Sequence, residues 1–411
     1  MRIIRKRCLG LDLHKKQITG HLRVHRSSDQ EPERTTIRFG TMPEELLRLR
    51  DWIVAHQVND VVMESTGVYW LHMYEILEPV TTPAVVNAAH VKKVPGRKTD
   101  VTDAQWLSEL HAHGLLRLSF VPPQQIRELR LITRYRTKLV AMRTSARNRT
   151  IKMIELAGIK LSSVVCDSFG KTGRALLDAL AKGPVHASTV EEAAKGSLRK
   201  KTAELEAALR TPFSDNQREM LAMHLRAYDA IDAQVAQTED KLMDRAKPYA
   251  AAIEKLDAVP GINPLAAITV LAETGLDMSV YRDAHHLTSL AGLAPGNSIS
   301  ADKRRRVGMP RGNRYLKRIC VQIAWAASRK NNSFLRSRFI RLSFRIGRNK
   351  AIVATARQIL IIIYHLLASD QQYKDLGPRF HDKRNRERSV KRFVERLEQL
   401  GYAVALKPTT E

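Results

Sequence analysis

The sequence predicts a mixed α/β domain at the N-terminus and a mostly helical remainder. Up to about Val121, short apolar runs bounded by turn residues alternate with amphipathic helix patterns. From Gln124 onwards, apolar residues recur at helical spacing over most of the chain. The formal net charge of +27 over 411 residues creates a positive field, which favours a polyanion such as nucleic acid as partner.

The N-terminal pattern contains several strand candidates and several helix candidates. The strands are predicted at residues 3–13, 17–24, 34–39, 58–63 and 84–87, and the helices near residues 43–56, 69–78 and 101–114. Successive strands, followed by strand and helix in alternation, are typical of a mixed sheet covered by helices. This order predicts an RNase H-like domain over residues 1–121.

A helical middle region is predicted over residues 122–250, after a pair of prolines. Its first helix pattern, residues 124–159, has one apolar side and one basic side. A second pattern, residues 198–247, has an apolar spacing that suits an antiparallel or coiled-coil partner for the first, and residues 161–197 predict short helices. On the basic side of the first helix, we predict that nucleic acid binds to Arg130, Arg134, Arg143 and Arg147.

A mostly helical C-terminal domain is predicted over residues 251–375, beginning with a Val-Pro-Gly turn at residues 259–261. From Lys303 to Ser369 the chain contains many Lys and Arg residues and no Asp or Glu. An ordinary solvated face carries both signs of charge, so this segment predicts a surface that faces a polyanion. Residues 376–411 predict a peripheral charged helix and tail.

Neither a membrane span nor a disulfide framework is predicted. The longest apolar run, residues 351–368, is interrupted by Arg357, Gln358 and His365, which favours a buried helix. The first residues lack the apolar stretch of a secretory signal. The three cysteines are widely separated and odd in number. We therefore expect a cytoplasmic protein with no membrane partner.

Four carboxylates stand out in this basic chain because they occupy strand ends and a helix start: Asp12, Glu64, Asp100 and Asp103. Acids near a polyanion are unfavourable unless they hold a cation that itself faces a phosphate. Mg²⁺ prefers oxygen ligands, so a few carboxylates and a substrate phosphate complete its site. Asp100 and Asp103 are three residues apart, which would place both on one helix face. We predict that the four acids bind Mg²⁺, or Mn²⁺, at one sheet edge.

A structural alternative exists for each of these acids. Asp100 or Asp103 could serve only as the N-cap of a helix, which is a common role for aspartate. Asp12 and Glu64 fit that alternative less well, because a carboxylate at the end of an apolar strand is desolvated unless something pairs with it. As a set of four, the acids favour metal binding.

Six motifs in order resemble the DEDD transposases of the insertion-sequence one-ten class. They are GLDLHKK at residues 10–16, MESTGVYW at 63–70, KTDVTDA at 98–104, VPGI at 259–262, AGLAPGNSISADKR at 291–304 and RGNRYL at 311–316. Together they extend over most of the chain. Several independent motifs in one order are far more specific than any one of them.

The resemblance implies an RuvC-like N-terminal domain whose four acids bind divalent metal, and a C-terminal transposase domain in which Ser300 is the nucleophile. Ser300 would become covalently joined to a DNA phosphate. The resemblance also implies a structured guide (bridge) RNA that pairs with donor and target DNA. It implies a homo-oligomer, a dimer assembling to a tetramer, whose active site forms between domains of different protomers.

The surroundings of Ser300 leave an alternative open. Ser298 and Ser300 follow Pro295-Gly-Asn297 and could be polar turn residues. Asn313 is predicted to be the N-cap of a helix running from residue 314 toward residue 328. Around both segments, we predict that nucleic acid binds to Lys303, Arg304, Arg305, Arg306, Arg311, Arg314, Lys317 and Arg318.

Three functions are compatible with these patterns. The first is an RNA-guided recombinase of a mobile element that uses metal and Ser300. The second is an RuvC-like endonuclease or Holliday junction resolvase, in which a metal-activated water attacks the phosphate. The third is a nucleic-acid-binding protein without catalysis, in which the acids serve as caps. The acidic quartet favours the first two.

Overall fold

The computed structural model describes residues 3–26, 31–65, 67–91, 102–295, 298–300, 303–305, 308–380 and 386–406. The chain divides into two compact units, Met1–Val121 and Pro122–Glu411. The first unit contains a sheet and the second is almost entirely helical, as the sequence predicts. The finer division of the second unit into a middle region, a C-terminal domain and a tail stays a prediction.

The first unit is built on a five-stranded mixed sheet with the order β3-β2-β1-β4-β5. β1 pairs antiparallel with β2, and β2 pairs antiparallel with β3. β1 pairs parallel with β4, and β4 pairs parallel with β5. The strands are β1 Arg7–Leu13, β2 Gln17–Val24, β3 Glu33–Gly40, β4 Asp60–Glu64 and β5 Thr82–Val86.

Helices cover both faces of this sheet: α1 Pro43–Ala55, α2 Tyr69–Leu77, α3 Ala88–Val91 and α4 Asp103–Ala112. On one face, Leu11 and Met63 pack with buried residues of α1 and α2. On the other face, Val62 packs with Leu107 and Leu110 of α4. Neighbouring strand residues point to opposite faces, so Leu11 and Met63 lie opposite the face that α4 covers.

Gly10 sets the position of α4 against β1. A Cβ atom at Gly10 would lie 2.3 Å from the carbonyl oxygen of Ala104 and 2.7 Å from the amide nitrogen of Ser108, so only glycine allows this approach. Near the start of β1, the Arg5 guanidinium donates to the carbonyl oxygen of His111 at 3.0 Å. The helix therefore runs opposite to β1, and its first turn lies toward the carboxyl end of that strand.

A buried polar contact fixes α4 to β2. Ser108 Oγ donates to the carbonyl oxygen of Gln105 at 2.8 Å, so it accepts from Nδ1 of His21 at 3.0 Å. Burial, and then the charge of Arg23, lower the pKa of His21 to about 4. His21 is therefore a neutral hydrogen-bond donor at physiological pH.

The second unit begins with two long helices, α5 Gln124–Leu156 and α10 Asp215–Arg245. They are antiparallel, because Arg136 pairs with Glu239 whereas Arg143 pairs with Asp232. Short helices lie between them in sequence: α6 Leu161–Val164, α7 Lys171–Lys182, α8 Ala187–Ala193, a 3₁₀ helix Gly196–Lys201 and α9 Thr202–Leu209. The antiparallel arrangement agrees with the sequence pattern, and a coiled coil stays a prediction.

The continuous helix pattern predicted at residues 198–247 is interrupted in the structure. α9 ends at Leu209 and α10 begins at Asp215. Pro212 lies in the gap and disfavours a helical conformation of the residue before it. Ser214 then caps α10, with its side chain accepting from the amide of Gln217 and the Gln217 side chain accepting from the amide of Ser214.

The remaining described elements of the second unit are mostly helices. They are α11 Ala250–Asp257, α12 Pro264–Thr274, α13 Ala284–Leu290, the strands β6 Ser298–Ser300 and β7 Lys303–Arg305, α14 Arg314–Ala327, α15 Phe334–Ile346, α16 Arg348–Ala368 and α17 Arg386–Gln399. Two further 3₁₀ helices are Lys247–Tyr249 and Met278–Val280. Asn313 caps α14, which confirms the prediction of that cap.

One described helix, Arg348–Ala368, is long and apolar enough to cross a membrane by length and composition alone. It packs against α13, α14 and α15 of the second unit. Ile352, Ile359 and Ile363 on this helix are fully or almost fully buried. These contacts make it a core helix of the second unit, as the sequence predicts.

Candidate active site

Asp12 and Glu64 occupy adjacent positions at the carboxyl ends of two neighbouring parallel strands. β1 and β4 are in register from Cys8 with Asp60 to Leu11 with Met63, and the next positions along the strands are Asp12 and Glu64. Residues in register on parallel strands point to the same face of the sheet. Both carboxylates are only partly buried, so they remain accessible to water and to a ligand.

Asp103 lies at the same end and on the same face of the sheet. Because side chains alternate along a strand, Asp12 points to the same face as Gly10, against which Ala104 of α4 packs. Asp103 precedes Ala104 and is the first residue of α4, whose first turn lies toward the carboxyl end of β1. We call this set of three residues, Asp12, Glu64 and Asp103, the acidic edge.

The N-cap alternative for Asp103 is wrong, because Thr102 has that role. The Thr102 side chain accepts from the amide of Gln105, and the Gln105 side chain accepts from the amide of Thr102. Thr102 itself has an extended backbone conformation, so the helix begins later than predicted. The argument from helical spacing for Asp100 and Asp103 is therefore wrong, and Asp100 lies outside the described residues.

The donor chemistry of the acidic edge fits a hard divalent cation, because each residue offers carboxylate oxygens. Within the part of the chain that the structure describes, no group of three or more His, Cys, Asp or Glu side chains is arranged to hold a metal ion. Oδ2 of Asp12 lies 3.0 Å from Nε2 of His14. The assignment of the four acids as metal ligands stays a prediction.

His14 is a residue of this site that the sequence interpretation missed. It follows Asp12 by two positions at the end of β1, and this spacing places two side chains on the same side of an extended chain. A histidine two residues after a strand-end aspartate is the signal that could have identified it. This contact places the His14 imidazole beside the Asp12 carboxylate.

Ser300 lies on a short hairpin of the second unit. β6 pairs antiparallel with β7, with Ser300 opposite Lys303 and Ser298 opposite Arg305. For the residues of both strands, including Lys303, Arg304 and Arg305, the structure describes the backbone only; Arg306 lies outside the described residues. The role of Ser300 as nucleophile stays a prediction.

Two glycines bring together the ends of the segment that carries this hairpin. A Cβ atom at Gly312 would lie 2.4 Å from the amide nitrogen of Gly292, and one at Gly292 would lie 2.8 Å from the carbonyl oxygen of Pro310. Gly292 also has a positive φ of 66°. The amide of Asn313 donates to the carbonyl oxygen of Leu290 at 2.7 Å. The two ends of the segment that carries the hairpin therefore lie against each other.

A buried ion-pair network contacts Asn313, at one end of this segment. The Glu273 side chain is fully buried in α12 and accepts from Nε and Nη2 of Arg134 at 2.8 and 2.9 Å. Its Oε2 also accepts from Nδ2 of Asn313 at 2.6 Å. Arg130 donates to the carbonyl oxygens of Ala272 and Glu273 at 2.8 and 2.9 Å. Glu273 thus connects α5 to the cap of α14.

This network gives Arg130 and Arg134 partners within the second unit, and their binding to nucleic acid stays a prediction. Their guanidinium groups satisfy a buried carboxylate and the last carbonyl groups of α12, and both are partly or largely shielded from water. The buried Glu273 was not identified from sequence. An acid within the apolar pattern PLAAITVLAET was the available signal, because such a carboxylate requires a cationic partner.

The two other predicted arginines of α5 are also paired. Arg143 pairs with Asp232 of α10, and Arg147 pairs with Asp167 at 2.8 Å. These pairs neutralise much of the basic side of α5 within the second unit. The sequence pattern shows the basic side correctly, but it does not show the facing carboxylates.

The basic residues at the start of α14 are more accessible. Arg311, Arg314 and Arg318 are exposed, and Lys317 is half-buried. Arg314 lies over the ring of Tyr315 at 4.9 Å from its centroid and donates to the Tyr315 hydroxyl at 2.9 Å. Their assignment to nucleic-acid binding stays a prediction.

Two family profiles match this chain. One, described as a transposase and belonging to the DEDD transposases of the IS110 type, matches residues 9–158. The other, described as transposase IS116/IS110/IS902 family, matches residues 253–338. The first match contains the whole acidic edge, and the second contains the Val-Pro-Gly turn and the Ser300 hairpin.

Two curated proteins are similar to this chain. A probable family 20 transposase of Pseudomonas aeruginosa is 26% identical over 321 residues, which cover 76% of this chain and 85% of that protein. An insertion element IS116 protein of Streptomyces clavuligerus, uncharacterized and of 44.8 kDa, is 27% identical over 278 residues, which cover 57% of this chain and 65% of that protein.

Proposed function

Because the chain belongs to the IS110 (insertion-sequence one-ten) family of transposases, we propose that it cuts and rejoins DNA with the acidic edge and Ser300 as its catalytic groups. The observation that carries this proposal is the placement of Asp12 beside Glu64, with Asp103 on the same face and at the same end of the sheet. Three acids on three different elements thus begin from backbone positions at one end of the sheet in an otherwise basic chain.

We propose that Asp12, Glu64 and Asp103, together with Asp100, hold Mg²⁺ or Mn²⁺. A bound cation at this edge would supply positive charge to the phosphate and to the oxygens that attack and leave. The rigid strands β1 and β4 fix the Asp12 and Glu64 backbones, and Gly10 fixes the approach of α4. The fold thus fixes the backbone positions of Asp12 and Glu64, and their side chains would turn toward a cation when it binds.

Ser300 would act as the nucleophile at phosphorus. A bond from Ser300 Oγ to phosphorus forms while the bond from phosphorus to one deoxyribose oxygen breaks. The serine proton passes to solvent or to a carboxylate of the acidic edge, and the released deoxyribose oxygen takes up a proton. Attack by a deoxyribose oxygen on the serine phosphodiester reverses these changes and rejoins the strand. Lys303, Arg304, Arg305 and Arg306 follow Ser300 in the chain and would neutralise the phosphate.

The strand order of the sheet supports an RuvC-like, RNase H-like assignment for the first unit. Adjacent antiparallel strands lead into parallel strands connected by helices, with the acids at the carboxyl ends of the central pair. The same order supports the second candidate, a metal-dependent endonuclease or junction resolvase that uses water. The two candidates differ in whether the protein becomes covalently bound to DNA.

We also propose that the chain binds a structured guide RNA and works as a dimer that assembles to a tetramer. The resemblance of the six motifs supports both features, and the net charge of +27 supports a partner rich in phosphate. In this arrangement the acidic edge of one protomer would act with Ser300 of another. The DNA partners are the donor and target of the element.

The covalent step is tested by trapping protein–DNA adducts on denaturing gels. The protein, purified from cells that carry its own element, is incubated with DNA containing the element's end junction and divalent metal. We expect adducts with the natural protein and with Ser298→Ala, and none with Ser300→Ala. Adducts that persist in Ser300→Ala would refute the nucleophile, and hydrolysed ends without any adduct would favour the resolvase.

A further inference from the structure

Phe344 on α15 is the most exposed of the large hydrophobic side chains that the structure describes, with 89% of its surface accessible. The opposite side of the helix is buried through Phe334, Leu335 and Phe339. One turn before Phe344, Ile340 is also exposed. Ile340 and Phe344 therefore form a small exposed apolar patch on one side of α15, and such a patch offers a surface that a partner can cover.

Basic residues lie on the same helix as this ring and on the neighbouring helix. Arg345 is exposed, and the half-buried Arg338 lies two turns earlier on α15. Arg357 of the adjacent helix α16 is also half-buried. α15 packs against α16, and burial, and then the charges of Arg357 and Arg345, lower the pKa of Arg338. We call Arg338, Arg345 and Arg357 the arginine cluster.

The arginine cluster lacks an anion within the described part of the chain. Its members form no ion pair with a described carboxylate, and the sequence from Lys303 to Ser369 contains no Asp or Glu residue. Nε of Arg338 and Nε of Arg357 are buried without a hydrogen-bond partner among the described residues. Arg357 Nη2 lies 3.0 Å from Nδ1 of His285, which accepts because a guanidinium can only donate.

We infer that this face of α15 binds an unpaired stretch of DNA, with Phe344 stacked on a base and the arginine cluster bound to neighbouring phosphates. Charge complementarity identifies the partner as a polyanion, and the exposed ring identifies it as one with accessible base faces. The inference rests on the proposed function only for the choice of DNA, because a DNA strand must leave its duplex during strand exchange.

The geometry of the helix agrees with a single nucleic-acid strand. Arg338 and Phe344 are separated by about 9 Å along the helix axis, and both Arg338 and Arg345 lie about 100–120° around the helix from Phe344, beside the apolar patch. A paired duplex hides its base faces within the stack, so only an unpaired base can use the ring. The match to the second transposase profile ends at residue 338, so Phe344 and most of the arginine cluster are features of this chain beyond that match.

The test measures binding of short oligodeoxynucleotides to the full chain in chelator, without strand cleavage. One oligonucleotide is single-stranded and carries the fluorescent base 2-aminopurine, whose emission falls when it stacks. We expect Phe344→Ala to weaken binding of this strand by about 5- to 100-fold and to abolish the quenching, and Phe344→Trp to retain both. Leu156→Ala is the matched control, because Leu156 is 79% exposed and lies outside the arginine cluster.

Equal affinities of Phe344→Ala and Leu156→Ala for the single strand would overturn the inference. A dependence on Phe344 that appears with the corresponding single-stranded RNA and not with DNA would overturn the choice of DNA. Because neither measurement requires metal or Ser300, failure of the proposed catalytic step would leave this test unaffected. Phe344→Ala should fold normally, since it removes an exposed side chain, and circular dichroism checks this.

Discussion

Two groups of arginines in the second unit illustrate how similar sequence patterns acquire different roles. On α5, Arg134, Arg143 and Arg147 each pair with a carboxylate from another segment of the unit. On α15 and α16, the arginine cluster has no such partner among the described residues. The first group stabilises the fold, and the second keeps its charge for an external anion. A basic helix face alone does not distinguish the two.

The largest expected effect comes from removing the acid of the paired group. Glu273→Ala leaves two guanidinium groups without their carboxylate in a buried site, so we expect a loss of about 3–5 kcal/mol in the free energy of unfolding of the second unit. Denaturant unfolding measures it. The control is Glu239→Ala, which breaks the more exposed pair with Arg136 and should cost less than about 1 kcal/mol. Similar costs for both variants would show that the Glu273 network does not stabilise the fold.

His21 differs from both groups of arginines, because this buried basic side chain is neutral at physiological pH. Its pKa of about 4 lies below the ordinary 6.5. Between these two pH values the unfolded chain binds more protons at His21 than the folded chain. The free energy of unfolding is therefore unaffected by His21 above the ordinary pKa, and it falls as the pH is lowered toward the folded-state pKa. We expect a loss of about 2 kcal/mol from His21 between about pH 7 and about pH 5. Thermal unfolding measures it.

The matched comparison for this effect is His21→Asn. His111, whose pKa is also lowered to about 4 by burial and then by Arg5, contributes a similar pH dependence in the same unit. The variant should therefore keep part of the pH dependence while losing the share that belongs to His21. An unchanged dependence in His21→Asn would show that His21 does not remain neutral in the folded protein.

The smallest expected effect distinguishes the two arginine groups directly. The logarithm of DNA affinity falls with the logarithm of salt concentration in proportion to the number of phosphates that the protein neutralises. We expect Arg345→Gln to reduce the magnitude of this slope by about 1. Arg147→Gln should leave it unchanged, because Asp167 already neutralises Arg147. Equal changes in the two slopes would show that Arg345 and Arg147 contribute equally to phosphate binding, which would contradict the proposed difference between the two arginine groups.

Much of the fold could be predicted from local patterns. The strand predicted at residues 17–24 is confirmed by β2, and the helix predicted near residues 43–56 is confirmed by α1. These predictions succeeded because apolar periodicity reports which side of an element is buried. The break between α9 and α10 was missed, although Pro212 and the Ser214 capping box are visible in the sequence.

The candidate site was only partly predictable. Asp12 and Glu64 could be placed at strand ends, but their adjacency depends on the pairing of β1 with β4, which joins residues distant in sequence. The close approach of α4 depends on Gly10, whose importance appears only when Ala104 packs on it. Glu273 was missed for the same reason, since its partners come from α5 and from the cap of α14.

The central claim is that the acids of the first unit hold a divalent cation, and Mn²⁺ titration followed by electron paramagnetic resonance of the free ion tests it most directly. The matched control is Asp60→Asn, because Asp60 begins the strand that Glu64 ends and pairs with Arg5 at 3.0 Å. We predict that the natural protein and Asp60→Asn bind Mn²⁺, whereas Asp12→Asn and Glu64→Gln lose at least about tenfold in affinity. Equal Mn²⁺ affinity in all four proteins would contradict the account.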